Sequence, residues 1–140
     1  GDLTFTDTLG SASSNAVRAI YFAQDTATIN YLTIATLGNA SDFGDLNGSD
    51  KRTHGGGASA TRGIFGGFGP TPTNTDIDYI TIPTLGNAVD FGNLLQAGHG
   101  PMSCASPTRG VIAGGTDPSS NVLNTIQFIT ISCLQEQESE

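Results

Sequence analysis

Three arginines stand where recognition could use them. Arg18, Arg62 and Arg109 each precede a short apolar run: Arg18-Ala-Ile-Tyr-Phe-Ala23, Arg62-Gly-Ile-Phe-Gly-Gly67 and Arg109-Gly-Val-Ile-Ala-Gly-Gly115. They are three of only five basic residues in a chain of net charge −8. A guanidinium is a planar fork of donors that suits carboxylates and phosphates. The favoured expectation is that each arginine pairs with a repeat-equivalent acid, such as Asp42 or Asp90, and serves the fold. The competing one is a ring of guanidinium groups on one face, ready for an anionic glycan or a partner.

Other residues that could do chemistry lack the required spacing. His54 and His99 are the two histidines. When the copies are aligned on their arginines, His54 falls opposite Pro101, so the histidines are not equivalent. With Asp50 or Asp117 they could imitate a metal site, but no ligand spacing supports one. No Gly-x-Ser-x-Gly elbow places a nucleophile. Asp42-Phe-Gly-Asp45 lacks the alternating carboxylates of a calcium loop. Because Asp42 and Asp90 are repeat-equivalent, a turn or edge-capping role is expected for them. The glycine-rich stretches around Gly55 to Gly57 and Gly63 to Gly69 have no Gly-Lys-Ser/Thr sequel for phosphate. Cys104 and Cys133 form no CxxC pair and fall at different repeat positions, so two unpaired, mostly buried thiols are expected. The expectation is therefore no enzyme, no metal and no cofactor.

What positions the arginines is an internal repeat. Arg109 lies 47 residues (109 − 62) after Arg62, and the segment 80–94 repeats the segment 32–46 at a spacing of 48 (80 − 32). Such a period must be read first, since it governs the fold. Three copies cover 1–43, 44–91 and 92–140, the first degenerate and the last ending in an acidic tail. Each opens with Gly-Asx-Leu: Gly1-Asp2-Leu3, Gly44-Asp45-Leu46 and Gly92-Asn93-Leu94. A stretch of small residues follows, then the arginine and its apolar run, then a loop of variable length. Next comes an alternating segment, as in Ile77-Asp-Tyr-Ile-Thr-Ile82. Ile77, Tyr79 and Thr81 fall on one face and Asp78, Ile80 and Ile82 on the other. A strand apolar on both faces belongs inside a stack of sheets.

The remaining punctuation fits short strands. The doublets Gly66-Gly67 and Gly114-Gly115 are expected to close a strand. Thr84-Leu-Gly-Asn-Ala88 reads as a hairpin turn. Val89 to Leu94 reads as the returning strand, with Phe91 as its anchor. The small residues of 54–59 and 101–106 suit an innermost, crowded strand. Each copy thus offers about four strands, the size of a propeller blade.

Composition agrees. Glycine supplies 19 of 140 residues, and only 13% are charged, which is too few for the charge-rich disordered class. Turn formers between β-branched and aromatic residues read as all-β. The acidity argues against nucleic acid and anionic membranes, which need a basic footprint. No apolar run approaches the roughly 20 residues of a membrane-spanning helix. No signal-peptide pattern opens the chain. Gly1 is not an initiator residue, which leaves open a processed chain or a piece of a longer one.

The order of apolar strand, glycine doublet, loop and alternating strand resembles a kelch-type β-propeller blade, although the usual kelch tryptophan is absent. Thr61-Arg-Gly-Ile-Phe-Gly-Gly67, Asp78-Tyr-Ile-Thr-Ile82 and Leu85-Gly-Asn-Ala-Val-Asp-Phe-Gly-Asn-Leu94 further resemble tandem repeats of predicted proteins from tailed bacteriophages, particularly cyanophages. Copy one matches less well, with Val17-Arg18-Ala19 in place of Thr-Arg-Gly and Phe22-Ala23 in place of the doublet. The resemblance implies a non-enzymatic structural or adhesive module, a virion appendage or decoration protein, located on a virion or outside the cell. A carbohydrate-binding, lectin-like propeller of cellular origin is the alternative. Host-surface glycans and other virion proteins are the implied partners.

Propellers carry four to eight blades, so three copies do not close a ring. The third copy is expected to lack its outer strand, and the N-terminal segment of one chain to complete the last blade of another. A dimer with six blades is the favoured self-association. A segment of a longer propeller or fibre, and three blades about a threefold axis, are the other arrangements. Binding is expected on the variable loops, at Phe68, Thr71 and Asn74 in 68–76 and at Asp117 and Asn121 in 115–125, or at Arg18, Arg62 and Arg109.

Overall fold

The structure is a computed structural model, and it describes residues 1–4, 6, 10–23, 26–36, 38–47, 52–68, 75–98, 100–131 and 137–139. Among these residues all regular structure is β, in three four-stranded sheets. Sheet 1 holds β1 (Gly10–Ser14), β2 (Arg18–Ala23), β3 (Thr28–Thr33) and β4 (Ser41–Asp45). Sheet 2 holds β5 (Arg52–Ala58), β6 (Arg62–Phe68), β7 (Asp76–Thr81) and β8 (Val89–Asn93). Sheet 3 holds β9 (Met102–Ala105), β10 (Arg109–Ala113), β11 (Ile126–Thr130) and β12 (Gln137–Ser139). Every sheet is an antiparallel meander with its strands in chain order. The expected outer-strand deficit of the third repeat is corrected: Gln137 to Ser139 pair with Ile129 to Gln127.

The two-faced pattern of β7 determines how the sheets stack. Ile77, with Ile64 and Phe91, packs on Ile112, Ile129 and Ile131 of sheet 3. Ile80 and Ile82, with Phe65, pack on Ile20, Phe22 and Ile29 of sheet 1. Sheet 2 is thus a layer between two layers, and both its faces are dry. The closest aromatic contact joins sheets 1 and 2, with the rings of Phe22 and Phe65 4.2 Å apart. Burying side chains of this size contributes about 1.5–3 kcal/mol each.

The first strands of the sheets lie side by side, as their small residues predict. A Cβ added to Gly57 on β5 would come within 2.7 Å of the Ala105 Cβ on β9. The Ser103 hydroxyl donates to the Gly56 carbonyl at 2.9 Å across the same seam. Larger side chains on these strands would wedge the sheets apart.

The Asp-Phe-Gly motif is a bulge device. The ladders of β3 with β4 and of β7 with β8 shift register opposite it. Asp42 Oδ1 accepts from the Gly44 amide at 3.1 Å, and Asp90 Oδ1 from the Gly92 amide at 3.0 Å. The glycines take φ of 145° and 146°, a region that L side chains avoid. The extra residue, Phe43 or Phe91, is thereby turned into the core. The capping role expected of Asp42 and Asp90 is this one.

Two turn expectations need adjustment. Gly66 and Gly67 lie inside β6, not at its close, whereas Gly114 and Gly115 do follow β10 with φ of 70° and 90°. In the connection 82–88, Gly86 takes φ of 148°. Asn87 does not share that conformation; its side chain instead accepts from the Asp45 amide at 3.0 Å, tying sheet 2 to sheet 1.

Phe65→Ala is expected to lower stability by roughly 3–5 kcal/mol, because the cavity lies between two sheets. Val122→Ala, at a side chain 85% exposed, should stay within about 0.5 kcal/mol. Urea midpoints of the two variants check both.

Candidate functional site

The arginines sit at the start of the second strand of each sheet, so all three lie at the same end of the stack. Each guanidinium lies over the ring of the third strand in its own sheet. The distances are 4.9 Å for Arg18 on Tyr31, 4.9 Å for Arg62 on Tyr79 and 4.5 Å for Arg109 on Phe128. Beneath the tyrosines, Phe43 and Phe91 present their rings edge-on at 5.9 and 6.0 Å. Cation, ring and second ring form a column in sheets 1 and 2, and sheet 3 has the cation and the first ring.

The arginines then reach into the next sheet. Arg18 Nη1 donates to the Ile82 carbonyl at 2.6 Å, and Arg62 Nη1 to the Ile131 carbonyl at 2.9 Å. Repeat-equivalent donors thus find repeat-equivalent acceptors. The expected pairing with Asp42 or Asp90 is corrected, because those carboxylates cap their own bulges. A carbonyl is the better partner here: it lies at the strand end, and its acceptance leaves no second charge to desolvate. A charged hydrogen bond contributes about 1.5–3 kcal/mol and a guanidinium over a ring about 0.5–2 kcal/mol. Arg109 is exposed, and no acceptor for its guanidinium lies among the described residues.

Beside Arg62 the two sheets leave an open groove of about 260 Å³, lined by Ser59, Thr61, Arg62, Pro107 and Ile131. At the seam of sheets 1 and 2 the Asn15 side chain bridges to the Ala60 carbonyl at 2.8 Å. The groove can take a small polar group against the donors that Arg62 has to spare.

The loop that follows β10 lies at the opposite end. Residues 116–122 form a small hairpin, closed by a bridge between Thr116 and Val122. Asp117 is its hub. Its Oδ1 accepts from the Ser119 and Asn121 amides, each at 2.8 Å, and its Oδ2 from the Asn121 side chain at 2.9 Å. The Asn121 side chain, and after it the Asn121 amide, holds the carboxyl below its ordinary value of 3.8; the Ser119 amide adds to this. Ser120 takes a positive φ of 65° at the tip. Asp117 and Asn121 are therefore spent on each other, and they shape the loop for whatever meets its rim. Phe68 ends β6 by its backbone; Thr71 and Asn74 lie outside the described residues.

The candidate residues thus do not assemble into one site. The arginines occupy one end of the sheets, and Asp117 and Asn121 the other. His54 is on β5, and His99 and Cys133 lie outside the described residues. Cys104 is a free, exposed thiol, contrary to the expected burial. Among the described residues no three His, Cys, Asp or Glu side chains gather as a metal site would need.

One position escaped the sequence reading. Asn30, Asp78 and Gln127 hold the same place in the third strand. Asn30 Oδ1 accepts from the Thr4 amide at 2.8 Å, and Gln127 Oε1 from the Leu95 amide at 2.8 Å. Each holds the chain segment that leads into its sheet. Asn30 and Asp78 are buried at 0% and 1% exposure, an unusual place for polar groups. The signal was available: one polar residue recurs inside an otherwise apolar strand.

No protein-family model matches the chain, and no curated protein is similar to it. Among solved structures it is similar to the "Structure of YjhT", with a TM-score of 0.69 and 13% identity. The match covers 88% of this chain and 42% of that one, so the chain spans less than half the length of its structural neighbour. At that identity the likeness speaks of fold alone.

Arg62→Met is expected to cost about 2–4 kcal/mol by urea unfolding, since both the carbonyl bond and the ring contact go. Adding salt should not reproduce the loss, because the acceptor is neutral. Asp117 has a lowered folded value, so its support of the loop is full above the ordinary 3.8 and is lost as pH falls through the lowered value. In an NMR titration the Ser119 and Asn121 amides should shift together with a midpoint below 3.8. A midpoint at or above 3.8 would contradict the hub.

Proposed function

We propose that the three sheets are β-propeller-type blades and that the chain is a non-enzymatic structural and adhesive module. It is a virion appendage or decoration protein of tailed-phage type, recognising a host surface or joining virion parts. The observation that carries this reading is how the arginines and Asp117 are used. Arg18 and Arg62 fasten one sheet to the next, and Asp117 fixes a loop. Each is spent on positioning. What remains for a partner is the rim at the end of the stack where β6 finishes at Phe68 and the hairpin 116–122 stands, since loops on a rigid scaffold are the usual place for recognition. A surface glycan suits such a rim, with polar loop residues held in place before binding.

The test is binding of the purified chain to a panel of bacterial surface polysaccharides, with both loops replaced by two-residue Asn-Gly turns as the comparison. The reading predicts retention on at least one polysaccharide, or on purified phage particles. It also predicts loss of that retention, without loss of fold, in the loop-replaced chain. Retention unchanged by loop replacement, or no retention on either material, would overturn it.

A further inference from the structure

Sheet 2 turns one face to sheet 1 and the other to sheet 3. Among the described residues, one face of sheet 1 and one face of sheet 3 meet no sheet. On sheet 3 the registers place Cys104, Val111 and Phe128 on one face, together with Met102, Ala113 and Ile126. The equivalent face of sheet 2, bearing Ile64, Ile77 and Tyr79, is covered by sheet 3. Ile77 is 0% exposed, while its counterpart Ile126 is 57% exposed. On sheet 1 the open face carries Ala19, Tyr21, Leu32 and, at the strand end, Ile34. Its counterpart on sheet 2, bearing Phe65, Ile80 and Ile82, is covered by sheet 1. Ile82 and Ile131 are 0% and 1% exposed, while Ile34 is 50% exposed.

The two open faces match as donor and acceptor. Arg18 and Arg62 each donate to the carbonyl of the equivalent isoleucine one sheet on. Arg109 is the third such donor, and no described acceptor meets it. Ile34 is the third such acceptor, and no described guanidinium meets it. The faces also match in size. Where sheets 2 and 3 meet, a Cβ on Gly110 would come within 2.4 Å of the Ile64 Cδ1. At the same position sheet 1 has Ala19, which carries that Cβ. Sheet 3 has Val111 where sheet 2 has Ile64, and so lacks the δ-methyl that would collide. The extra carbon on one open face is offset by a missing one on the other.

We propose that the open face of sheet 3 docks on the open face of sheet 1 in a second copy of this chain, with the Arg109 guanidinium donating to the Ile34 carbonyl of that copy. Two copies make the contact twice and close a ring of six sheets. Two copies of the three described sheets give six, within the four to eight that such rings hold. The closed ring rests on the blade reading above. The pairwise contact stands on the two sheet interfaces already present in the chain.

A cross-link reads the register. The Cβ of Ser13 lies 3.6 Å from a Cβ built on Gly56. Cys104 is the counterpart of Ser13 on sheet 3, and Ala12 the counterpart of Gly56 on sheet 1. That separation suits a disulfide. In a Cys133→Ser background, Ala12→Cys treated with a thiol oxidant should run on a non-reducing gel as a species of twice the 14.3 kDa chain mass. The background without Ala12→Cys should not. Light scattering of the unmodified chain should give the same doubled mass. Ile126→Glu, at a side chain exposed within the chain, should return it to a folded monomer; Val122→Glu should leave the doubled mass unchanged. A monomeric unmodified chain overturns the proposal, as does a trimer, an open polymer or a dimer in which neither Ala12→Cys nor Ser14→Cys, at the counterpart of the Ala105 that meets Gly57 at the other seam, cross-links to Cys104. A cross-linked dimer that retains no polysaccharide or phage particle would sink the recognition reading alone and leave this contact standing.

Discussion

The constraint on which the structure depends is that sheet 2 buries both of its faces. β7 states it most plainly, with Ile77 aimed at one neighbour and Ile80 and Ile82 at the other. An antiparallel sheet with one wet face can stop at a single partner. Sheet 2 does not, because a wet second face would leave several large apolar side chains in water, each at a cost of about 1.5–3 kcal/mol. The arginine columns belong to the same constraint. Apolar packing is non-directional and would let two sheets slide. A guanidinium held on a ring and bonded to one carbonyl sets the angle and height at which they meet.

Much of this was legible in the sequence because repetition acts as an internal control. The period and the four short strands of a full copy came from spacing and patterning. The crowding at the inner strands came from small residues at 54–59 and 101–106. The stacking of sheets came from the two-faced alternation of Ile77 to Ile82. The capping by Asp42 and Asp90 was legible because the two share a repeat position beside glycine.

Other features were not legible, for reasons that lie in long-range geometry. The partner of Arg62 is a backbone carbonyl 69 residues away, and a carbonyl has no letter in the sequence. An acid was the visible candidate, and it was already committed to a glycine amide two residues on. The outer strand of the third sheet carries Gln137, Glu138 and Ser139 and has no Asp-Phe-Gly to announce it. Its pairing is a backbone matter. Asp117 and Asn121 read as free polar groups because sequence shows polarity and not saturation. Their four-residue spacing closes a hairpin only once Ser120 turns left-handed.

The central claim is that the two open faces are covered as the inner ones are. Selective labelling of isoleucine δ-methyls, with a soluble paramagnetic probe in the buffer, measures this directly. The account predicts that the Ile34 and Ile126 methyls of the intact chain in solution are as sheltered from the probe as those of Ile82 and Ile77. Broadening of Ile34 and Ile126, with Ile82 and Ile77 spared, would contradict it.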